Sequence, residues 1–195
     1  MKNLLNKLSQ KFHESEKTTY SLFYLLIAYH LIIFAIFVPL LKKKFKVKNI
    51  IIGHYHKEFN LGSLKILEAY YLNKKIYKVK NYYIITDVHL GLVNYSKEEL
   101  KELKEKIEEI IKNNKLIITG DLIEKKPLIK NKEIKEIINK ILNNKNIIYI
   151  KGNHDPKIKK QLDFFVSNNI LFIHGHQLMI PFHLRELFKL FKSNK

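Results

Sequence analysis

A chain of 195 residues with 46% hydrophobic side chains can bury the core of one domain of ordinary size plus an appendage, which excludes a disordered tail. It has no cysteine, so disulfides, thiolate metal sites and cysteine nucleophiles are excluded, and any metal must be held by imidazole, carboxylate or amide. The formal charge of +18 rests almost wholly on lysine, and a surface this positive attracts nucleic acid, anionic lipid headgroups or phosphorylated substrates without choosing among them.

Residues 1–20 read as a polar, weakly amphipathic arm. Residues 21–41, SLFYLLIAYHLIIFAIFVPLL, carry no charged side chain and are long enough to cross a bilayer core as a helix. No polar stripe interrupts the run, so lipid or protein must cover it all round. The lysine cluster KKKFKVK follows at 42–48, and such clusters stay in the cytoplasm beside a membrane span. The expectation is therefore a membrane-attached chain, touching lipid, with its catalytic part on the cytoplasmic side. The alternative is a cytoplasmic protein in which this helix is buried in a cap or a dimer interface. No small-residue cleavage site follows, so a removable signal peptide is not expected.

From residue 49 onward, short β-branched runs alternate with charged helical stretches, the pattern of an α/β fold filling residues 42–195. The runs are NIII (49–52), YYIIT (82–86), KLIIT (115–119), NIIYI (146–150) and NILFI (169–173), each continuous as in strands buried on both faces. SKEELKELKEKIEEIIKNN opens with a capping box of Ser96 and Glu99 and places Leu and Ile at helical spacing. Further helices are expected at about 131–143 and 181–192. Residues 64–80 read as a hairpin turning near Asn73 and Lys74.

Chemistry collects at the strand ends. YYIIT leads into Asp87-Val88-His89-Leu90-Gly91, KLIIT into Gly120-Asp121, NIIYIK into Gly152-Asn153-His154-Asp155, and NILFI into His174-Gly175-His176. The crevice beyond the carboxyl ends of such strands is where ligands bind, so these groups should converge on one cleft. Gly53-His54-Tyr55-His56 stands at the end of the first run in the same way. Singly each motif is weak; in this order, at spacings of about thirty residues between the first three, they form a specific set.

That set resembles the calcineurin-like metallophosphoesterases, whose pattern is Asp-x-His, Gly-Asp, Gly-Asn-His-Asp or Glu, a histidine, and finally Gly-His-x-His. The first four elements lie here at residues 87–176, while the fifth is Gly53-His54-Tyr55-His56, which comes first in the chain. A circular permutation explains this order, with new termini in the segment that caps the site in relatives such as the UDP-diacylglucosamine hydrolases. Two alternatives are a swapped dimer, in which residues 1–80 of one subunit complete another's cleft, and an inactive protein that lost its last motif.

The resemblance implies a metallophosphoesterase-type β-sandwich flanked by helices, preceded here by an N-terminal hydrophobic helix. It also implies two divalent metal ions, manganese on family grounds with iron, zinc or cobalt also suited to nitrogen and oxygen ligands. Asp121 would bridge the metals. Asp87, His89 and His56 would complete one shell, and Asn153, His174 and His54 the other. His154 would meet the phosphate or the leaving oxygen, oriented by Asp155. His176 is read as structural or close to substrate. The implied activity is hydrolysis of a phosphodiester or pyrophosphate bond, on a lipid-linked or sugar-nucleotide substrate if the chain is membrane-attached. A nuclease or nucleic-acid-binding protein is the competing class, not favoured because no aromatic-rich basic motif accompanies the charge.

Overall fold

The computed structural model describes residues 35–55, 58–124, 132–156 and 160–178, with the main chain alone at 54, 55, 177 and 178. The polar arm, most of the apolar run and the helix expected at 181–192 lie outside the described residues. Residues 35–45 are helical (α1). Among the described residues no helix is long and apolar enough to cross a membrane. The chain divides into two compact units, Met1–Leu40 and Leu41–Lys195.

The second unit holds two sheets. The first has the order β2-β3-β1-β9-β8, from Phe59–Leu61, Leu64–Glu68, Asn49–Tyr55, Ile170–His174 and Phe165–Ser167. The second runs β4-β5-β6-β7, from Tyr77–Val79, Tyr82–Ile85, Lys115–Thr119 and Ile147–Ile150. Strands β5, β6 and β7 are parallel, and β1 is parallel to both β3 and β9. The five β-branched runs of the sequence are thus β1, β5, β6, β7 and β9; β1, β5, β6 and β9 are inner strands whose continuous apolar character matches burial on both faces, and β7 forms an edge with Ile147 and Ile148 half-buried.

Alternation along these strands builds two cores. Ile84 and Ile117 turn toward the other sheet, where they join Ile51, Leu67, Ile150, Ile170 and Phe172. Ile85, Leu116 and Ile118 turn the opposite way, onto the helices. The helix Lys97–Asn113 (α3) presents Leu100, Leu103, Ile107, Ile110 and Ile111 at 3–4-residue spacing, and Lys132–Asn143 (α4) presents Ile134, Ile137 and Ile141. Each such side chain, fully buried, contributes roughly 1.5–3 kcal/mol. At the start of α3, Ser96 Oγ accepts from the Glu99 amide at 3.1 Å while Glu99 Oε2 accepts from the Ser96 amide at 2.9 Å, the expected capping box.

The hairpin expected at 64–80 does not form. β3 and β4 lie in different sheets, because β3 pairs in parallel with β1 and antiparallel with β2, leaving neither edge for β4. The turn is where the sequence places it, with Lys74 at φ 56°, but it ends a single helical turn, Tyr70–Asn73 (α2), that carries the chain from one sheet to the other. The hairpins among the described residues are β2–β3, β4–β5, closed by Lys80 at φ 52° and Asn81, and β8–β9, closed by Asn168 and Asn169 at φ 52° and 61°.

Candidate metal centre

The parallel register of β5, β6 and β7 fixes where their loops begin. The ladder continues past the strand ends: the Asp87 amide donates to Gly120 O (3.1 Å), His89 to Asp121 O (2.9 Å) and Leu90 to Leu122 O (2.8 Å). Asp87, His89 and Asp121 sit at φ 52°, 53° and 50°, the left-handed region that residues with a side chain rarely adopt. Each such residue costs on the order of 1 kcal/mol or more, and clustering of strained residues marks functional sites. All three are buried.

Asp121 is the hub. Its Oδ1 accepts from the His154 amide at 2.8 Å, and its Oδ2 stands 3.2 Å from His174 Nε2. His174 Nδ1 lies 2.7 Å from Thr119 O. A carbonyl only accepts, so Nδ1 carries a proton, and Nε2 faces Asp121 Oδ2 and, at 3.3 Å, Asn153 Oδ1. A ring nitrogen and two side-chain oxygens thus converge on one point, which a shared proton or a cation would hold together. The donor set therefore fits a divalent metal with nitrogen and oxygen ligands.

A second group adjoins it. Asp87, His89 and Asp121 each offer a ligand atom within 4.8 Å of the others, and so do His89, Glu124 and His154. His89 Nε2 is 3.9 Å from Asp87 Oδ1. Burial pushes the His89 imidazole below its ordinary range against the pull of Asp121 and Asp87, which favours the neutral, ligating form. Its ring meets His154 and Tyr71 edge-on, at centroid distances of 5.1 and 5.5 Å.

The carboxylate that holds His154 is Glu124, not Asp155. His154 Nδ1 lies 3.0 Å from Glu124 Oε2, and the imidazole stays 39% exposed at the rim. Asp155 turns inward. It is fully buried and accepts from the amides of Asp121 (2.9 Å), Ile123 (3.1 Å) and Gly152 (2.7 Å) and from the Tyr149 hydroxyl (2.5 Å). Burial pushes the Asp155 carboxyl up, opposed by the Tyr149, Gly152 and Ile123 donors, and pushes the Tyr149 phenol far above its usual range. Asp155 thus ties the loop after β6 to the loop after β7. Glu124 is the site residue that sequence reasoning missed, although it stands only three residues after Asp121.

The end of β1 enters the same place. Gly53 pairs in register with His174, and its backbone is wedged between the sheets: a Cβ there would lie 2.1 Å from Thr86 Oγ1 and 2.7 Å from Thr119 Oγ1. Thr86 and Thr119 immediately precede Asp87 and Gly120-Asp121. The pairing of β1 with β3 shifts register between Ile52 and Tyr55, across His54. The side chain of His54, and all of His56, lie outside the described residues. His176, on the 3₁₀ turn Gly175–Leu178, is buried with its ring 5.0 Å from that of His174.

A two-sheet α/β sandwich whose strand ends gather buried aspartates, histidines and an asparagine has the makings of a metal-dependent hydrolase. The chain matches the calcineurin-like phosphoesterase family over residues 80–194, more than half its length, and belongs to that family, hydrolases acting on phosphate ester bonds. The matched region begins after β1, so Gly53-His54-Tyr55-His56 falls outside it. Among solved structures, the crystal structure of Pseudomonas putida nuclease MPE aligns with a TM-score of 0.34 and 16% sequence identity, covering 60% of this chain and 59% of that one. None of the curated proteins matches the chain.

Proposed function

We propose that this chain is a two-metal phosphodiesterase or pyrophosphatase whose last two ligands, His54 and His56, come from the front of a circularly permuted chain. The observation that carries the reading is the in-register pairing of Gly53 with His174, which sets the residue before His54 against the residues before Asp87 and Gly120-Asp121. The pairing of β1 with β9 within one chain supports a permutation over an exchange between subunits. The family match beginning at residue 80 accords with a motif displaced to the front.

In this reading Asp121 serves both metals. Asp87, His89 and His56 complete one shell, and Asn153, His174 and His54 the other. The bound cations, manganese on family grounds, would acidify a shared water and polarise the phosphoryl oxygens. Thr119 O accepts from His174 Nδ1, which orients Nε2 toward Asp121 and Asn153. His154 reaches the substrate from the exposed rim and carries a proton to the leaving oxygen, and Glu124 at 3.0 Å steadies the imidazolium that this requires. Asp155 keeps the two loops in register.

The apolar run at 21–41 and the lysines at 42–48 support attachment to a membrane, with residues 42–195 on the cytoplasmic side as the catalytic domain. A lipid-linked or sugar-nucleotide substrate, as in the UDP-diacylglucosamine hydrolase-like branch, fits that location.

The test is hydrolysis by the full chain, with Mn²⁺, of bis-p-nitrophenyl phosphate, p-nitrophenyl phosphate, a sugar nucleotide and DNA. Diester or pyrophosphate cleavage that Asp121→Ala abolishes supports the reading. Cleavage of the monoester alone overturns it, and cleavage of DNA alone overturns the lipid-linked or sugar-nucleotide substrate while leaving the diesterase chemistry standing.

A further inference from the structure

The turn that presents Asp87 and His89 has both residues in the left-handed region, with Val88 between them. Such a turn persists only where its surroundings over-determine it. Its amides are held by the neighbouring loop, through Gly120 O and Asp121 O. The carbonyls of Thr86 and Asp87 accept from the amides of Tyr70 (2.8 Å) and Tyr71 (3.3 Å), the first residues of α2. The carbonyl of Val88 is held by a side chain: the Tyr95 hydroxyl donates to it at 2.6 Å, in a fully buried contact.

Tyr95 is itself fixed. Its ring lies in the helix–sheet core, and Lys74 Nζ sits 4.0 Å from the ring centroid. That ammonium also meets Glu99 Oε1 at 3.2 Å, and Glu99 is the carboxylate of the α3 capping box. A continuous line of contacts thus runs from the start of α3 through Glu99, Lys74 and Tyr95 to the peptide joining the two ligand-bearing residues. Burial keeps the Tyr95 phenol protonated, well above the ordinary tyrosine range, so its proton is always available to the carbonyl.

We propose that Tyr95 is a positioning residue for the metal centre, locking the Asp87-Val88-His89 turn so that both side chains are presented to one cation. The proposal deepens the two-metal reading and rests on it. Removing the hydroxyl leaves a buried carbonyl without its donor, and the turn can relieve this by rotating Val88, which re-aims both neighbours. Partners one step removed from metal ligands are worth about 10–100-fold in metal affinity.

The test compares Tyr95→Phe with Tyr70→Phe in the full chain. Tyr70 is buried in the same core beneath the same Lys74 ammonium, at 5.8 Å, whereas the hydroxyl that donates to the Val88 carbonyl is that of Tyr95. Mn²⁺ dissociation constants are measured by electron paramagnetic resonance of free Mn²⁺, with apoprotein unfolding followed by circular dichroism. Tyr95→Phe is expected to weaken Mn²⁺ binding about tenfold at a temperature where the apoprotein is folded, and Tyr70→Phe to leave it unchanged. Equal affinity of Tyr95→Phe and wild type, or equal weakening by Tyr70→Phe, overturns the proposal and leaves the two-metal reading standing. A wild type that binds no Mn²⁺ overturns both. Should Tyr95→Phe fail to fold, Lys74→Met, which takes the cation off the ring and leaves the hydroxyl, is expected to weaken binding by a smaller factor, and unchanged affinity there overturns it.

Discussion

Gly53 on β1 and His174 on β9 are partners in a parallel ladder, 121 positions apart in the chain (174 − 53), and a Cβ on Gly53 would run into Thr86 and Thr119, the threonines before Asp87 and Gly120-Asp121. One residue therefore brings the two sheets together where the loops carrying Asp87, Asp121 and His174 begin.

This crowding makes Gly53 irreplaceable. Gly53→Ala puts a methyl 2.1 Å from Thr86 Oγ1 and 2.8 Å from Thr119 O, and the second of these is backbone that cannot swing aside. Overpacking of this kind costs about 1–3 kcal/mol. Urea denaturation of the apoprotein should show that loss, and an unchanged midpoint would mean that β1 does not enter between the sheets.

Asp155 should behave as a structural carboxylate. In Asp155→Asn an amide group replaces one of the oxygens that now accept from the Asp121, Ile123 and Gly152 amides, setting donor against donor in a buried site. The expected loss is about 3 kcal/mol, from breaking a buried charge-assisted network. Tyr149→Phe, which removes one donor of the four, should cost about 1 kcal/mol.

Glu124 should separate from Asp155 by kinetics. Glu124→Gln removes the charge facing His154 Nδ1 without touching the shared Asp121. It is expected to lower kcat about 10–100-fold with bound metal and stability near wild type. A variant that loses metal instead would make Glu124 a ligand, which its place within 4.8 Å of His89 and His154 would then explain.

Metal should stabilise the fold, because Asp121 Oδ2, His174 Nε2 and the half-buried Asn153 Oδ1 converge on one point that a cation would hold together. Free Mn²⁺ at a hundred times its dissociation constant contributes about 2.7 kcal/mol. In a chain of this size that raises Tm by roughly 5–10 °C. EDTA should reverse the shift in differential scanning fluorimetry, and a Tm indifferent to both additions would count against a metal centre here.

Strands β1, β5, β6, β7 and β9 and helix α3 were legible because their signals are local: continuous β-branched runs, and a Ser96–Glu99 pair at the start of an amphipathic stretch; the three-residue edge strands β2 and β8 carry no such run. The convergence of the motif residues at 87–89, 120–121, 153–154 and 174 was legible for the same reason, each motif standing directly after such a run. The separation of β3 from β4 was not, since a turn at Asn73-Lys74 looks the same whether it closes a hairpin or hands the chain to another sheet. Only the long-range pairing of β3 with β1 decides that. Glu124 was hidden because a glutamate beside two lysines reads as a solvated residue, and only the loop after β6 brings it to His154. Asp155 misled for the converse reason: adjacency to His154 in sequence puts it on the other side of the backbone, facing Gly152 and Tyr149.

The most direct measurement is the metal content of purified wild type, His54→Ala and His56→Ala, by inductively coupled plasma mass spectrometry after loading with Mn²⁺. Two ions per wild-type chain and at most one in each variant are expected, with diesterase activity lost in both. Two tightly held ions and full activity in His54→Ala would contradict a centre completed from the front of the chain.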